Sequence, residues 1–184
     1  MKPLIVLCLL FCVCSLPGFG GAADDLELRV ELTTGERSKD SSSQTTTISI
    51  APQVNAIILE RSFSGFHGRS GSGDASSRRE YKLSSADRRK LIELLESKNL
   101  LVTDSIELPE DPATHQYFDI SIESALGGKK GVLNLRGPRT AVQVKEKRLY
   151  QDSIVLVREI YRIINDQDKS IVFQELVAAK SNKI

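Results

Sequence analysis

The sequence has few of the side chains that build reactive or metal-binding centres. Its 184 residues include no Trp, one Met and two His, and its formal net charge is only +1. Two His, with no Cys after residue 14, leave little raw material for a zinc site. Nucleic-acid-binding proteins are usually strongly basic, so the near-zero charge argues against that class. We therefore expect no metal, no cofactor and no nucleic-acid partner.

Cysteine is absent after the first 14 residues, and the segment that holds it reads as a signal peptide. Lys2 precedes an apolar run at 4–16, Pro17 then breaks the helix, and small residues follow as far as Ala23. This order predicts cleavage after Ala22 or Ala23 and export to the periplasm or the extracellular medium. The mature chain would then contain no thiol and no disulfide.

Two membrane attachments are disfavoured by the same segment. A lipoprotein signal has a small residue before the modified cysteine, whereas Phe11 precedes Cys12 and Val13 precedes Cys14. The apolar run is shorter than the roughly 20 residues that span a bilayer, and no second long run follows it. We expect neither a lipid anchor nor a transmembrane segment after processing.

The segments that follow alternate between strand and loop patterns. Residues 24–44 contain a first strand at 26–32 and a polar loop or linker, and a globular domain is predicted over 45–184. Period-two alternation predicts strands at 45–50 and 54–63, joined by a turn around Pro52. The Gly- and Ser-rich residues 64–79 are predicted to form a flexible loop.

The second half of the chain contains stronger local signals. Ser84 or Ser85 is the N-cap of a predicted helix over 84–99, and wide apolar spacing predicts a second helix over 150–165. Gly127 and Gly128 predict a tight turn between strands at 117–125 and 131–136. The acidic, proline-bearing residues 103–115 read as a connection, and residues 170–180 fit either a helix or a strand.

These elements predict a single α+β domain, an antiparallel sheet with the two main helices packed on one face. Each helix must bury its apolar stripe, and the alternating face of the sheet is the available partner. The predicted core is Leu91, Leu95, Phe118, Ile120, Ile122, Leu133, Leu135, Ile154, Val157, Ile160 and Ile164.

The layout resembles that of small exported bacterial proteins of unknown function. The shared features are the signal segment, the paired strands, the helix opened by Leu83-Ser84-Ser85, the acidic connection, the Gly-Gly hairpin and the C-terminal helix. The resemblance covers most of 45–165. It implies an α+β domain and transfers no functional residue.

Charge is unevenly distributed along the chain. Residues 61–90 carry eight basic and three acidic side chains, and residues 127–149 carry seven basic and one acidic. The simplest interpretation is a solvated surface of weak ion pairs. The functional interpretation is a single basic face that docks an anionic polymer, a lipid headgroup or an acidic protein, formed by Arg69, Arg78, Arg79, Lys129, Lys130, Arg136 and Arg139. The candidate ligand-binding residues are Arg69, Arg78 and Arg79.

Three functions remain open, and no partner can be named from sequence. The favoured one is a non-catalytic binding or interaction module, because no catalytic motif is complete. The second is a small hydrolase that uses the 64–79 loop and His67 as general base, although the loop has no GxSxG motif. The third is a structural component of the cell envelope.

Overall fold

A mixed sheet and two helices make up the described part of the chain. The computed structural model describes residues 25–36, 42–67, 71–72, 75–107, 116–138 and 148–171. The strands are β1 (Glu27–Glu36), β2 (Ser43–Ile50), β3 (Ala56–Ser64), β4 (Phe66–His67), β5 (Gly71–Ser72), β6 (Ala75–Lys82), β7 (Thr103–Glu107), β8 (Gln116–Leu126) and β9 (Lys129–Pro138). The helices are α1 (Ser85–Ser97) and α2 (Arg148–Gln167).

Seven strands form one sheet in the order β6-β3-β2-β1-β8-β9-β7. Every neighbouring pair is antiparallel except β7 and β9, which are parallel. The first strand, β1, lies in the middle of this sheet between β2 and β8. The short strands β4 and β5 pair only with each other among the described strands.

Alternation along the inner strands of the sheet separates an apolar face from a polar one. Val30, Ile48 and Ile122 are cross-strand neighbours on the apolar face and are fully buried. The two helices contribute Leu91, Leu95, Ile160 and Ile164 to the same core. The opposite face carries polar side chains and is called the uncovered face below, since neither described helix packs on it. The prediction of an α+β domain with helices on one face is confirmed.

The predicted local signals are confirmed where the structure describes them. The Ser84 hydroxyl accepts a hydrogen bond from the Asp87 amide at the start of α1, and Asn99 ends the turn after it with φ of 53°. Gly127 and Gly128 have φ of 56° and 80°, as a tight hairpin turn requires. All predicted core residues are buried except Ile154, which is half-buried.

Three predicted loops contain strands, and these predictions are wrong. β1 continues to Glu36, into the predicted linker; β6 begins at Ala75, inside the predicted 64–79 loop; and β7 forms at the start of the 103–115 connection. Each of these segments is polar, and its backbone pairing is fixed by a neighbouring strand rather than by its own hydrophobic pattern. Residues 1–24 and 172–184, which include the predicted signal peptide and most of 170–180, lie outside the described residues.

The two helices are joined at their polar edge by a cluster of ion pairs. Arg162 on α2 contacts Asp87 on α1 at 2.8 Å and Glu159 on α2 at 2.7 Å, and Lys90 contacts Glu159 at 3.0 Å. Burial alone would raise the pKa of Glu159, but hydrogen bonds from Arg162 and Lys90 hold it below its usual value. Glu159 therefore stays ionised at neutral pH and links α1 to α2.

Candidate interaction edge on strand β6

Two of the three predicted ligand-binding residues lie side by side on an exposed strand at the edge of the sheet. Arg78 and Arg79 are consecutive in β6, which pairs with β3 on its inner side. No described strand pairs with its outer side. Because neighbouring residues of a strand point to opposite faces, Arg78 lies on the uncovered face and Arg79 on the helix side. Arg69 lies outside the described residues.

The backbone groups of every second residue of β6 point to its outer side, where no described strand pairs with them. The Leu83 amide points inward and donates to the Asn55 carbonyl, whereas both backbone groups of Lys82 point outward, to the side chain of Gln167. Along a strand of an antiparallel pair, residues whose backbone groups point towards the partner strand alternate with residues whose backbone groups point away from it. The N–H and C=O groups of Ser76, Arg78 and Glu80 therefore point outward as well.

Gln167 binds this edge in the way that a neighbouring strand would. Its Oε1 accepts from the Lys82 amide at 2.8 Å, and its Nε2 donates to the Lys82 carbonyl at 2.8 Å. A side-chain amide thus takes the place of a peptide group at one end of the strand. It satisfies the outward pair of a single residue, and the outward groups of Ser76, Arg78 and Glu80 have no partner among the described strands.

Arg79 is held by the residue that follows α2. Its Nη1 lies 2.6 Å from Asp168 Oδ2, which also accepts from the Tyr81 hydroxyl at 3.2 Å. Asp168 Oδ1 accepts from the hydroxyl and the amide of Ser170. These bonds, those of Ser170 foremost, lower the pKa of Asp168 to about 2, so the carboxylate stays charged at neutral pH.

Arg78 is less constrained than Arg79. It contacts Glu60 on β3 at 3.4 Å, and both side chains are largely exposed to solvent, at 66% and 49%. An ion pair between such exposed groups contributes little, roughly 0–1 kcal/mol, so an incoming anion can replace Glu60 at small cost. Both arginines are therefore accessible, each with a carboxylate already beside it.

The other basic residues of the sequence do not join this edge. Lys129, Lys130 and Arg136 lie on β9, five strand positions from β6, which is roughly 24 Å at about 4.8 Å per strand. Arg139 lies outside the described residues. The single basic face that includes both blocks is not formed by the described residues.

The uncovered face has a depression of about 440 Å³ near Glu27, at the start of β1. Its charged lining is mixed: Glu27, Arg29, Glu123 and Lys130 all border it, around small residues such as Ala125. No net charge or enclosed apolar wall selects a ligand here. The depression is therefore a weaker candidate than the β6 edge.

The described residues do not bring together the side chains that the hydrolase alternative requires. His67 lies in β4, with its backbone paired to Gly71, and the neighbouring candidates Ser70 and Asp74 lie outside the described residues, as does His115. In the described ranges, no three His, Cys, Asp or Glu side chains are grouped so as to hold a metal ion. None of the described helices is long and apolar enough to cross a membrane.

Comparison with known proteins assigns no family to this chain. Its sequence matches no protein-family model and no curated protein. The case for the β6 edge therefore rests on its geometry, its charge and its exposure.

Sequence reasoning singled out Arg78 and Arg79 but missed the residues that contact them. Gln167 and Asp168 follow the last apolar position of α2 and read as an ordinary helix end. The one available signal is Tyr81, a buried aromatic residue in an otherwise polar run, which marks the helix-side face of β6. Tyr81 predicts that the segment forms a strand, but it does not predict that this strand contacts the end of α2.

Proposed function

We propose that this protein is an exported, non-catalytic interaction module that binds an extended segment of a partner protein along the outer edge of β6. One observation carries the proposal: Ser76, Arg78 and Glu80 turn their backbone N–H and C=O groups outward, where no described strand pairs with them. An edge with these features is a template for strand addition, in which the peptide forms a further strand of the sheet. Export is supported by the signal-peptide pattern of residues 1–23.

The chemistry of the edge suits reversible binding. The three outward-facing residues offer three donors and three acceptors, and each backbone hydrogen bond contributes a net of about 0.5–1.5 kcal/mol. Association itself costs several kcal/mol, so the ladder alone supports only weak binding. Side chains beside the ladder, chiefly the two arginines, must add affinity and specificity. We therefore expect a transient partner whose binding weakens as the salt concentration rises.

Removing one outward amide tests strand addition directly. Glu80→Pro deletes an outward N–H and leaves the hydrogen bonds to β3 in place, since proline is tolerated on an edge strand. Glu80→Ala is the matched control, because it removes the same side chain and keeps the amide. Peptides selected from a random display library on the wild-type protein should bind the Ala variant and lose at least tenfold in affinity for the Pro variant.

The circular dichroism spectra of both variants should match that of the wild type, which establishes that the fold is intact. Equal binding of the selected peptides to the Pro and Ala variants would show that they do not use this edge. Failure to select any peptide would also count against the proposal.

A further inference from the structure

We infer that the added strand is an acidic segment of the partner, and that Gln167 and Asp168 occupy part of its site until it binds. This inference rests on the proposed function, since it names the chemistry of the peptide that β6 accepts. Gln167 and Asp168 together are called the edge clamp below.

The charge of β6 favours an acidic occupant. The strand carries Arg78, Arg79 and Lys82 against one acid, Glu80, so its net charge is three minus one, or +2. Seven of its eight residues are exposed, all except Tyr81. A peptide with negative charge is attracted to such a strand and gains in association rate as well as in affinity.

The contacts of the edge clamp show which chemical groups bind to the edge of β6. Gln167 supplies an amide to the outward backbone of Lys82, as the main chain of an added strand would. The next residue, Asp168, supplies a carboxylate to Arg79 at 2.6 Å. An amide bound to the backbone at Lys82 and a carboxylate bound to Arg79, three residues earlier in β6, are two kinds of contact that an acidic peptide in extended conformation can also make.

The described residues satisfy only part of the site. The clamp covers the ladder at Lys82 and the cation at Arg79, while the outward groups of Ser76, Arg78 and Glu80 have no described partner strand. A peptide that extends along the whole edge makes the contacts of the clamp and more. It can therefore displace the Asp168 carboxylate from Arg79, and the side chain of Gln167 from Lys82.

The faces of the strand also set the pattern of acids. A carboxylate that meets Arg79 lies on the helix side, and one that meets Arg78 lies on the uncovered face. Side chains on the two faces come from adjacent residues of the added strand. The best-matched peptide therefore has two consecutive acidic residues within a β-forming sequence.

A second copy of the chain is a poorer occupant of the same edge. Antiparallel pairing of two β6 strands can place Arg78 opposite Glu80, but the same register places Arg79 directly opposite its own counterpart. Like charges at directly opposed positions destabilise a strand pair. Self-association is therefore an outcome that the experiment must detect, by light scattering at the concentrations used.

Two labelled peptides separate the acidic preference from strand addition itself. The probe is fluorescein-Thr-Val-Thr-Glu-Glu-Val-Thr-Val, and the control peptide has two Gln in place of the two Glu. By fluorescence anisotropy at low salt, the acidic peptide should bind at least tenfold more tightly; Arg79→Gln should remove part of this difference, and the double change Arg78→Gln with Arg79→Gln most of it. Arg29→Gln is the matched control, because Arg29 is also exposed and ion-paired, to Glu31, but lies on β1.

Variants that remove one contact of the edge clamp test whether Gln167 and Asp168 compete with the peptide. Asp168→Asn and Gln167→Ala should each tighten binding of the acidic peptide by roughly two- to fivefold, the range expected for loss of one exposed competing contact. Asp166→Asn removes a neighbouring acid that contacts Arg162 and Lys169 instead, and should leave the affinity unchanged.

The outcomes distinguish the two proposals. If both peptides bind equally and both lose affinity for Glu80→Pro, strand addition stands and the acidic partner is wrong. If neither peptide binds, or if light scattering shows a stable dimer that Glu80→Pro dissociates, the proposed partner falls altogether. If the clamp variants weaken or do not alter binding of the acidic peptide, Gln167 and Asp168 do not compete with it.

Discussion

Replacement of the buried Arg88 in α1 should be among the most destabilising single changes to a polar residue. Arg88 is only 3% exposed, and it donates to three backbone carbonyls, those of Leu26, Ala51 and Val54. These carbonyls belong to the segment before β1 and to the β2–β3 turn. One guanidinium therefore fixes α1 to two separate parts of the sheet.

The size of the effect follows from the number and quality of these bonds. A hydrogen bond that involves a charged group contributes about 1.5–3 kcal/mol. The bonds to Leu26 and Ala51, at 3.5 and 3.4 Å, are longer than usual, so they count for less than the bond to Val54. Nε of Arg88 is buried without an acceptor among the described residues, which reduces the net gain further. We expect Arg88→Met, which keeps the aliphatic stem, to lower the free energy of unfolding by about 2–3 kcal/mol.

Urea denaturation followed by far-UV circular dichroism measures this effect in a protein that has no Trp. Arg89→Met is the matched control, because Arg89 is the adjacent exposed residue of the same helix. Surface substitutions of this kind usually change stability by less than about 0.5 kcal/mol. A loss for Arg88→Met no larger than that for Arg89→Met would refute the anchoring role.

Two further predictions concern the core and the ion pairs. Ile160→Asp should abolish soluble expression, because Ile160 is fully buried and an unpaired carboxylate there has no partner; Ile154→Asp, at a half-buried site, should be milder on the same expression gel. The second is a loss of stability in acid, seen as a lower urea midpoint at pH 3 than at pH 6. Asp87, Glu159 and Asp168 all have lowered pKa values in the fold, so their contribution is complete above the ordinary carboxyl pKa and is lost as the pH falls towards 2. An unchanged midpoint would show that these ion pairs contribute nothing to stability.

The elements that could be predicted are those with a local physical cause. α1 has a serine cap and a regular apolar stripe, and the β8–β9 hairpin has two glycines where positive φ is needed. α2 has an apolar face so wide that no strand could display it on one side. In each case the residues that determine the element lie within it, so the element can be predicted from a single sequence.

The elements that were missed depend on distant residues. β6 is exposed on both faces along most of its length, so it has no alternation to read; its conformation is set by pairing with β3. β7 is polar and pairs in parallel with β9, a contact that only the three-dimensional arrangement reveals. The buried position of Arg88 was missed for a similar reason, because a charged residue in a helix reads as a surface residue.

β6 was missed in the sequence because its residues are polar and exposed, and the same polarity suits it to the proposed binding. A strand with an apolar stripe is readable because one face is buried, and its edge is usually covered as well. β6 is polar and charged on both faces, so it can leave its edge open in solution with little risk of non-specific sheet association. Arg78 and Arg79 could be selected from sequence by charge, but the carboxylate that occupies Arg79 lies 89 residues away. The proposed role of these arginines therefore depends on the edge position of β6 and on the contact with Asp168, and both are features of the fold.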